Sequence, residues 1–431
     1  MAEDKYTAII IGAGPAGSTA AYLLAQAGLE VLVIEKGSTP GSKNMFGGRM
    51  YSYALQRVLP QFWEEAPVER VVVREMLTFL SEERGVSLVS QDETWARSPY
   101  HSFTLLRAEF DAWLASQAEE AGALLACGIR VDDLLWENGR VVGVRAGEDE
   151  LRAEVVIAAD GANSLMAQQA GLRPELEPAE VGIGIKQIIE LPPETINERF
   201  QLSGNQGVAG LFVGACTRGL PGGGFLYTNR NSISLGLVVK AAALQENQQP
   251  LGELLEDFKS HPQVAPLIQG GQVAEYSAHL VPESGWQKSP PLWGEGILVV
   301  GDAAGLVINL GYQVRGMDLA IASGEAAAKT VIEAAAAQDF SASGLSRYRE
   351  KLKEALVWAD MEAYQRAPQF LENPWLYGKY PDLMCRTFSR MFTVDGSLPA
   401  HLLSQIMDQL KESQIGWMKV AADAWKGGRA L

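Results

Sequence analysis

Gly12, Gly14, Pro15, Ala16 and Gly17, followed by Glu35 and Lys36, set out a recognisable chemistry near the start of the chain. A Gly-x-Gly-x-x-Gly run between a strand and a helix makes a tight turn, lets backbone approach a diphosphate, and lets the helix pack closely on the sheet. The amide groups at the helix start, together with its dipole, then face the phosphates. Glu35 lies roughly 20 residues further on, where a carboxylate accepts hydrogen bonds from an adenosine ribose. A 2′-phosphate would meet that carboxylate as like charge, which disfavours NADP. The motif alone does not choose between FAD and NAD.

The elements that must hold these residues are legible around them. Ala8 to Ile11 reads as a buried parallel strand, a helix pattern starts after Pro15, and Val31 to Ile34 reads as a second strand, making a β-α-β unit. Short antiparallel strands are expected between Val71 and Ser90, then a helix opening at Arg107, then a three-strand meander turning at Asn138-Gly139 and near Gly147. Its last strand runs into Asp160-Gly161. Alternating segments at Val181 to Glu190, Val208 to Cys216, Gly224 to Thr228 and Ser232 to Val239 read as a separate antiparallel sheet. A buried strand at Ile297 to Val300 leads into Gly301-Asp302 and then a strong helix pattern. Beyond Ser341 the chain reads as helical, with breaks expected at Pro368, Pro374 and Pro381.

The expected fold is therefore α/β plus α+β. A discontinuous Rossmann-like domain (1–70, 102–178 and 286–340) carries the cofactor, an antiparallel-sheet domain (71–101 and 179–285) carries substrate or quinone, and a helical region (341–431) serves subunit or membrane contact. Among 431 residues, 47% are apolar, enough for a sizeable core, and the net charge of −16 argues against a duplex nucleic-acid surface. Cys127, Cys216 and Cys385 lie far apart, offering neither a disulfide framework nor a CxxC pair, which suits a reducing cytoplasm. His101, His261, His279 and His401 form no helical metal pair and read as structural or surface residues. No metal site is expected. No signal peptide is read before the first strand, and Gly296 to Tyr312, the longest apolar stretch, is too short to span a bilayer, so any membrane contact is expected to be peripheral.

Three patches stand in order: the glycine loop with Glu35, "ADGANS" at Ala159 to Ser164, and "VVGDAAG" at Val299 to Gly305. Together they resemble the FAD-binding superfamily of flavin hydroxylases and geranylgeranyl reductases. The resemblance implies FAD, with Asp302 on the ribityl hydroxyls and Arg107 reaching the same chain near the diphosphate. Read from the residues alone, Asp302 could instead be a helix N-cap. A closer resemblance is carried by "GSKNMFGGRMYSYAL", "GGGFLYTN", "ISLGLVV", "AEYSAHLVPE", "YQVRGMDLAIASGEAAA", "ENPWLYGKYPDL" and "MFTVDG", over essentially the whole chain. These resemble the FixC branch of the electron transfer flavoprotein:quinone oxidoreductase family.

That resemblance implies electrons taken from an electron transfer flavoprotein (FixA and FixB) and passed toward quinone with a ferredoxin-like FixX subunit that carries the iron–sulfur cluster. It further implies electron bifurcation, most often to supply nitrogen fixation, though relatives serve carnitine or acyl metabolism; the expected location is cytoplasmic, with any membrane contact peripheral on the inner face. Two departures bear on rivals. After Gly-Asp-Ala-Ala this chain reads "GLVIN" rather than the His and prolines of flavin hydroxylases, and Cys385 stands alone where longer quinone oxidoreductases carry a cysteine cluster. A lipid (prenyl) reductase or monooxygenase is the alternative reading, and a flavin scaffold without turnover a third.

The expected cofactor contacts are Gly12, Gly14, Pro15, Ala16, Gly17, Glu35, Lys36, Gly47, Gly48, Arg49, Arg107, Asp160, Gly161, Gly301, Asp302, Arg315, Gly316 and Met317. The flavin does the chemistry, so no catalytic side chain is assigned. The "NMFGGRM" and "QVRGMD" segments are candidate tuners: Gly47, Gly48 and Gly316 would let backbone lie near the ring, and Arg315 near its carbonyl end would favour the reduced anion. The alternatives are an ordinary turn for the first pair and a surface ion pair for Arg315. "PGGGFLYTN" either borders the flavin or is a hairpin of the sheet. Trp375, Tyr377, Tyr380, Phe388, Phe392, Trp417 and Trp425 could line a quinone or membrane face; core and subunit contact is the expectation for most.

Overall fold

The computed structural model describes residues 5–42, 47–283, 285–286, 291–396 and 401–431. Two sheets organise them. The first places the parallel strands Ile297–Val299, Asp149–Ala158, Lys5–Ile11, Val31–Glu35 and Leu124–Cys127 side by side, as the near-continuous apolar runs of the first strands require. Ile9 and Ile10 are fully buried. The meander Asp133–Glu137, Arg140–Ala146 and Asp149–Ala158 extends this sheet antiparallel, turning at Asn138 and Gly139, both at positive φ.

Helices Pro15–Gln26, Arg107–Glu120 and Met317–Ala337 cover this sheet. The first and third cross backbone to backbone: a Cβ on Gly324 would collide with the Ala16 carbonyl oxygen, so an alanine-rich helix with glycine at the crossing is what fits. That crossing sets the start of the long helix beside the glycine loop.

The second sheet runs Gln272–Pro282, Val181–Glu190, Ser232–Lys240, Gly222–Thr228, Gln206–Gly214, Val68–Leu80, Ser102–Leu106 and Gly47–Tyr51, with Gly85–Gln91 also on Val68–Leu80. It has its own core, including Phe212, Leu226, Leu235, Leu237 and Phe258. Two features differ from the sequence expectation. Gln206–Gly214 pairs parallel to Val68–Leu80, because the chain passes through the first sheet between them and returns in the same direction. Gly47–Tyr51 and Ser102–Leu106, grouped by sequence with the cofactor domain, hydrogen-bond into the second sheet while Met50, Phe103 and Leu105 bury into the first core. The two layers are sewn together there.

Beyond Ser341 the described chain is helical, as expected, and one helix ends and the next begins at or just before each of the three prolines. Pro368, Pro374 and Pro381 sit in the first turns of Ala367–Leu371, Pro374–Leu376 and Lys379–Phe392, where a missing N–H costs no hydrogen bond. No helix among the described residues is long and apolar enough to cross a membrane.

Candidate functional site

The glycine loop shows three glycines with three different reasons. Gly12 has φ +104° and a Cβ there would strike the Ala159 carbonyl oxygen, so the turn tolerates only glycine. A Cβ on Gly17 would strike the Gly12 carbonyl oxygen, so the helix can sit directly on the loop. Gly14 differs: the nearest atom to its Cβ position is Arg107 Nη2 at 3.8 Å, and that side faces open cavity. Glu35 accepts the Ala13 amide at 2.9 Å through Oε2 and the Gly37 amide at 2.6 Å through Oε1, tying the loop to the end of the second strand.

Around this loop converge groups from distant sequence. Arg107 donates Nε and Nη2 to the buried Asp111, each at 2.7 Å, which fixes its guanidinium at the mouth of the helix it begins. Asp160 accepts the Met166 amide at 3.0 Å through Oδ2, while its buried Oδ1 has no partner among the described residues; Gly161 follows at φ +76°. Gly301, at φ +61°, donates its amide to Ser323 Oγ at 2.9 Å. Asp302 caps no helix with its side chain. Its carbonyl oxygen and that of Ala303 accept Arg173 Nη1, at 3.0 and 2.8 Å, and the buried Arg173 Nη2 has no partner among the described residues. Burial raises the Asp302 carboxyl above the ordinary range, opposed by Arg107, Arg173 and Lys186.

At the other end lie Gly47, Gly48 and Arg49. A Cβ on Gly47 would run into the Ser234 side chain, so packing on the second sheet already demands glycine. Arg49 donates Nε to Ser102 Oγ at 3.1 Å, pairs with Glu75, and lies 4.4 Å over the Tyr51 ring. Arg315 Nη2 is 2.7 Å from Asp318 Oδ2, 2.8 Å from Asp360 Oδ2 and 2.8 Å from the Tyr53 hydroxyl, a half-buried cluster rather than a surface pair. Gly316 precedes the long helix, whose first residue is Met317. Lys43 to Phe46, including the first three residues of the "NMFGGRM" tuner, lie outside the described residues.

One cavity of about 940 Å³ joins both ends, lined by every expected contact except Gly17, which lies beneath the loop. That volume falls at the top of the roughly 300–1,000 Å³ range of small-molecule sites, as an extended dinucleotide needs. A cradle open only at Gly14, unpartnered buried atoms on Asp160 and Arg173, and facing cations at Lys36 and Arg107 suit a ligand with a diphosphate and hydroxyls.

Sequence reasoning missed cavity residues from the second sheet. The buried Lys186 and the half-buried His279 line it, and Glu283, on the same wall, has its carboxyl raised by burial. Pro221 to Phe225 are at once a strand start and cavity wall, so both readings of that segment hold. Tyr377 is buried and lines the cavity, whereas Phe392, Trp417 and Trp425 are exposed and are not core. The C-terminal region supplies further wall through Pro368, Phe370, Leu371 and Leu431.

Comparison with known proteins decides the family. The FAD binding domain family matches residues 5–195, and the ETF-QO/FixC family C-terminal domain matches residues 367–431. The chain is 49% identical to Protein FixC of Escherichia coli strain K12 over the full length of both. It is 48% identical, again over both full lengths, to the probable electron transfer flavoprotein-quinone oxidoreductase YdiS of the same strain. The chain belongs to the FixC/electron transfer flavoprotein-quinone oxidoreductase family. Its cofactor is FAD, and it is an FAD-dependent oxidoreductase. The fold is shared with a geranylgeranyl bacteriochlorophyll reductase-like protein of Thermoplasma acidophilum, at a TM-score of 0.72 and 23% identity over 99% of this chain and all of that one. It is shared more distantly with the flavin-dependent brominase Bmp2, at a TM-score of 0.62 and 16% identity over 95% of this chain and 99% of that one.

Proposed function

We propose that this FixC-family chain takes electrons from an electron transfer flavoprotein of the FixA/FixB type and passes them to a quinone, working with a ferredoxin-like FixX subunit. The complex bifurcates electrons to supply a low-potential acceptor, with nitrogen fixation as its setting, from the cytoplasmic side in peripheral contact with the membrane. One observation carries the reading. The segment matched by the ETF-QO/FixC C-terminal domain, residues 367–431, also walls the cavity through Pro368, Phe370, Leu371, Tyr377 and Leu431. The part of the chain that marks the family is therefore placed to meet the cofactor's surroundings.

In this reading the adenosine lies at Glu35 and Lys36, and the diphosphate on the loop from Gly12 to Ala16 beside Arg107. Asp302, with Asp160, Gly161 and Gly301, would hold the ribityl chain, and the Gly47-Gly48-Arg49 strand and Arg315-Gly316-Met317 would hold the ring. FAD supplies the electron chemistry when bound. The chain's residues would bind it and orient it.

The test is electron delivery. Reduced electron transfer flavoprotein should bleach the flavin of the reconstituted complex and yield quinol, while NADPH alone should give slow, substrate-independent oxidation at most. Rapid NADPH turnover stimulated by a prenyl lipid or a phenol would replace this reading with a reductase or monooxygenase.

A further inference from the structure

The helix Trp417–Ala430 keeps its carboxylate inside and its tryptophans outside. Asp423, Gly427 and Ala430 recur at helical spacing on its buried side. Gly427 lets the helix lie directly on Phe370, whose Cζ would be 2.9 Å from a Cβ there. Asp423, the one carboxylate of the helix, is held by Lys419 Nζ at 2.6 Å, the Tyr380 hydroxyl at 2.6 Å and Asn373 Nδ2 at 2.9 Å.

The outward side carries no acid. Trp417, Met418 and Trp425 are 60%, 69% and 70% exposed, with the exposed Ala421, Ala422 and Gly428 between and beside them. Lys426 and Arg429 flank Trp425, and together with Arg366 they line a groove of about 600 Å³. Those three cations make no ion pair among the described residues. The nearby carboxylates are engaged elsewhere, Asp423 as above and Glu372 with Lys240 at 3.5 Å. An apolar pole bordered by free cations is the pattern of a helix lying in the headgroup region of a bilayer, with indole rings at the interface and cations on the lipid phosphates. In a chain of net charge −16 such a face also decides which side approaches an anionic surface. Phe370 favours a bilayer as the occupant, because it lines both this groove and the cofactor cavity. One aromatic ring separates the outward face from the cavity that an apolar, membrane-held substrate must reach.

We propose that the helix Trp417–Ala430 docks on an anionic phospholipid surface: Arg366, Lys426 and Arg429 take lipid phosphates at the groove, and Trp417, Met418 and Trp425 enter the boundary between headgroups and acyl chains. The inference names the surface and the lipid chemistry of the peripheral membrane contact proposed above, and rests on that contact. It does not depend on the electron donor.

The test sediments the full-length, FAD-loaded chain with vesicles of phosphatidylcholine alone or mixed with phosphatidylglycerol. The mixed vesicles should bind it at least about tenfold more tightly, and added salt should weaken that binding. Lys426→Gln with Arg429→Gln should weaken binding to mixed vesicles about tenfold, and Trp417→Ser with Trp425→Ser about as much, with FAD content unchanged in both. Lys426→Arg with Arg429→Lys should retain it. Brominated acyl chains should quench the tryptophan fluorescence of the parent more than that of the variant lacking Trp417 and Trp425. Should a variant lose FAD, the parent's preference for mixed vesicles and its quenching decide. Release by glycerol phosphate at matched phosphate concentration would reduce the groove to a free-phosphate site and overturn lipid docking. Parent binding retained by both paired variants would overturn this helix as the surface and leave the peripheral contact standing. Parent binding to no vesicle would overturn both, and loss of a ferredoxin-like subunit by the tryptophan variant in that case would make the face a protein interface.

Discussion

Glu35 reaches back from the end of the second strand to accept the Ala13 amide inside the glycine loop, 2.9 Å away, while its other oxygen accepts the Gly37 amide at 2.6 Å. One carboxylate thus shapes the loop and presents itself to a ribose. Glu35→Ala should therefore cost the apoprotein about 1–3 kcal/mol, by leaving two amides without an acceptor, and should also weaken FAD binding. Denaturant unfolding of apoprotein, beside cofactor titration, separates the two effects. Unchanged apoprotein stability would show that the carboxylate serves the ligand alone.

Gly14 and Gly17 should fail in different ways. Alanine at Gly17 forces the helix off the Gly12 carbonyl and should destabilise the apoprotein by about 1–3 kcal/mol. Gly14 has ordinary backbone angles, φ −78° and ψ −177°, and its side faces the cavity, so Gly14→Ala should leave apoprotein stability within about 1 kcal/mol. FAD binding should nevertheless fall at least about tenfold, since the methyl occupies phosphate space. Equal stability losses in the two variants would refute this division of labour.

How much of this was legible in the sequence depends on whether the signal was local. Gly12 to Glu35 were readable because strand, loop, helix and acid follow in order and each constrains the next. Arg107 and Asp302 needed the family resemblance, since nothing in their own neighbourhoods says that a helix start and a strand end 195 positions apart meet at one cavity. Lys186 and His279 were not legible at all: strand alternation says which residues share a face, not what that face looks upon. Gly47 lines the cavity, while the room a Cβ would need there is taken up by Ser234, a packing demand that the sequence does not display. The prolines after Ser341 were legible because a proline cannot continue a helix but sits without cost in the first turn of the next one.

Asp302→Asn should stabilise the empty protein while impairing its use. Burial raises the Asp302 carboxyl in the folded state, so the folded state holds a proton that the unfolded chain, with a pKa near 3.9, releases. The penalty is absent below that unfolded value, grows as pH rises to the raised folded value, and is constant above it. Apoprotein carrying Asp302→Asn should therefore melt above the parent at neutral pH, with the gap closing on acidification, and should bind FAD more weakly. Melting curves across the acidic range check this; a gap that widens toward low pH would reverse the sign.

Arg315 should matter more to stability than to flavin potential. Its guanidinium is shared among Asp318, Asp360 and the Tyr53 hydroxyl, leaving two carboxylates to be answered by one cation. Arg315→Met removes that cation and should cost about 3–5 kcal/mol, the usual penalty for stranding a buried charge. The midpoint potential of the bound flavin should move little. A large potential shift with little loss of stability would instead support direct tuning of the ring by Arg315.

The last prediction concerns where electrons leave. Cys127, Cys216 and Cys385 are free thiols, Cys216 and Cys385 buried, and Cys385 sits against the Phe79 carbonyl oxygen at 3.3 Å within the fold. Three thiolates cannot supply the four that a [4Fe–4S] centre takes. The chain reduced alone should accordingly give no iron–sulfur signal in electron paramagnetic resonance. Co-expression with a ferredoxin-like subunit should give a stable pair with that signal. The exposed faces around Phe392, Trp417 and Trp425 are where docking, to that subunit or to the membrane, should be sought first. Substituting Trp417 and Trp425 together by serine should then weaken co-purification or vesicle binding, while leaving FAD content intact. A cluster signal from the isolated chain, or flavin-to-quinone transfer at full rate without any ferredoxin-like subunit, would show that the exit lies within this chain and that the missing thiolates had been the wrong guide.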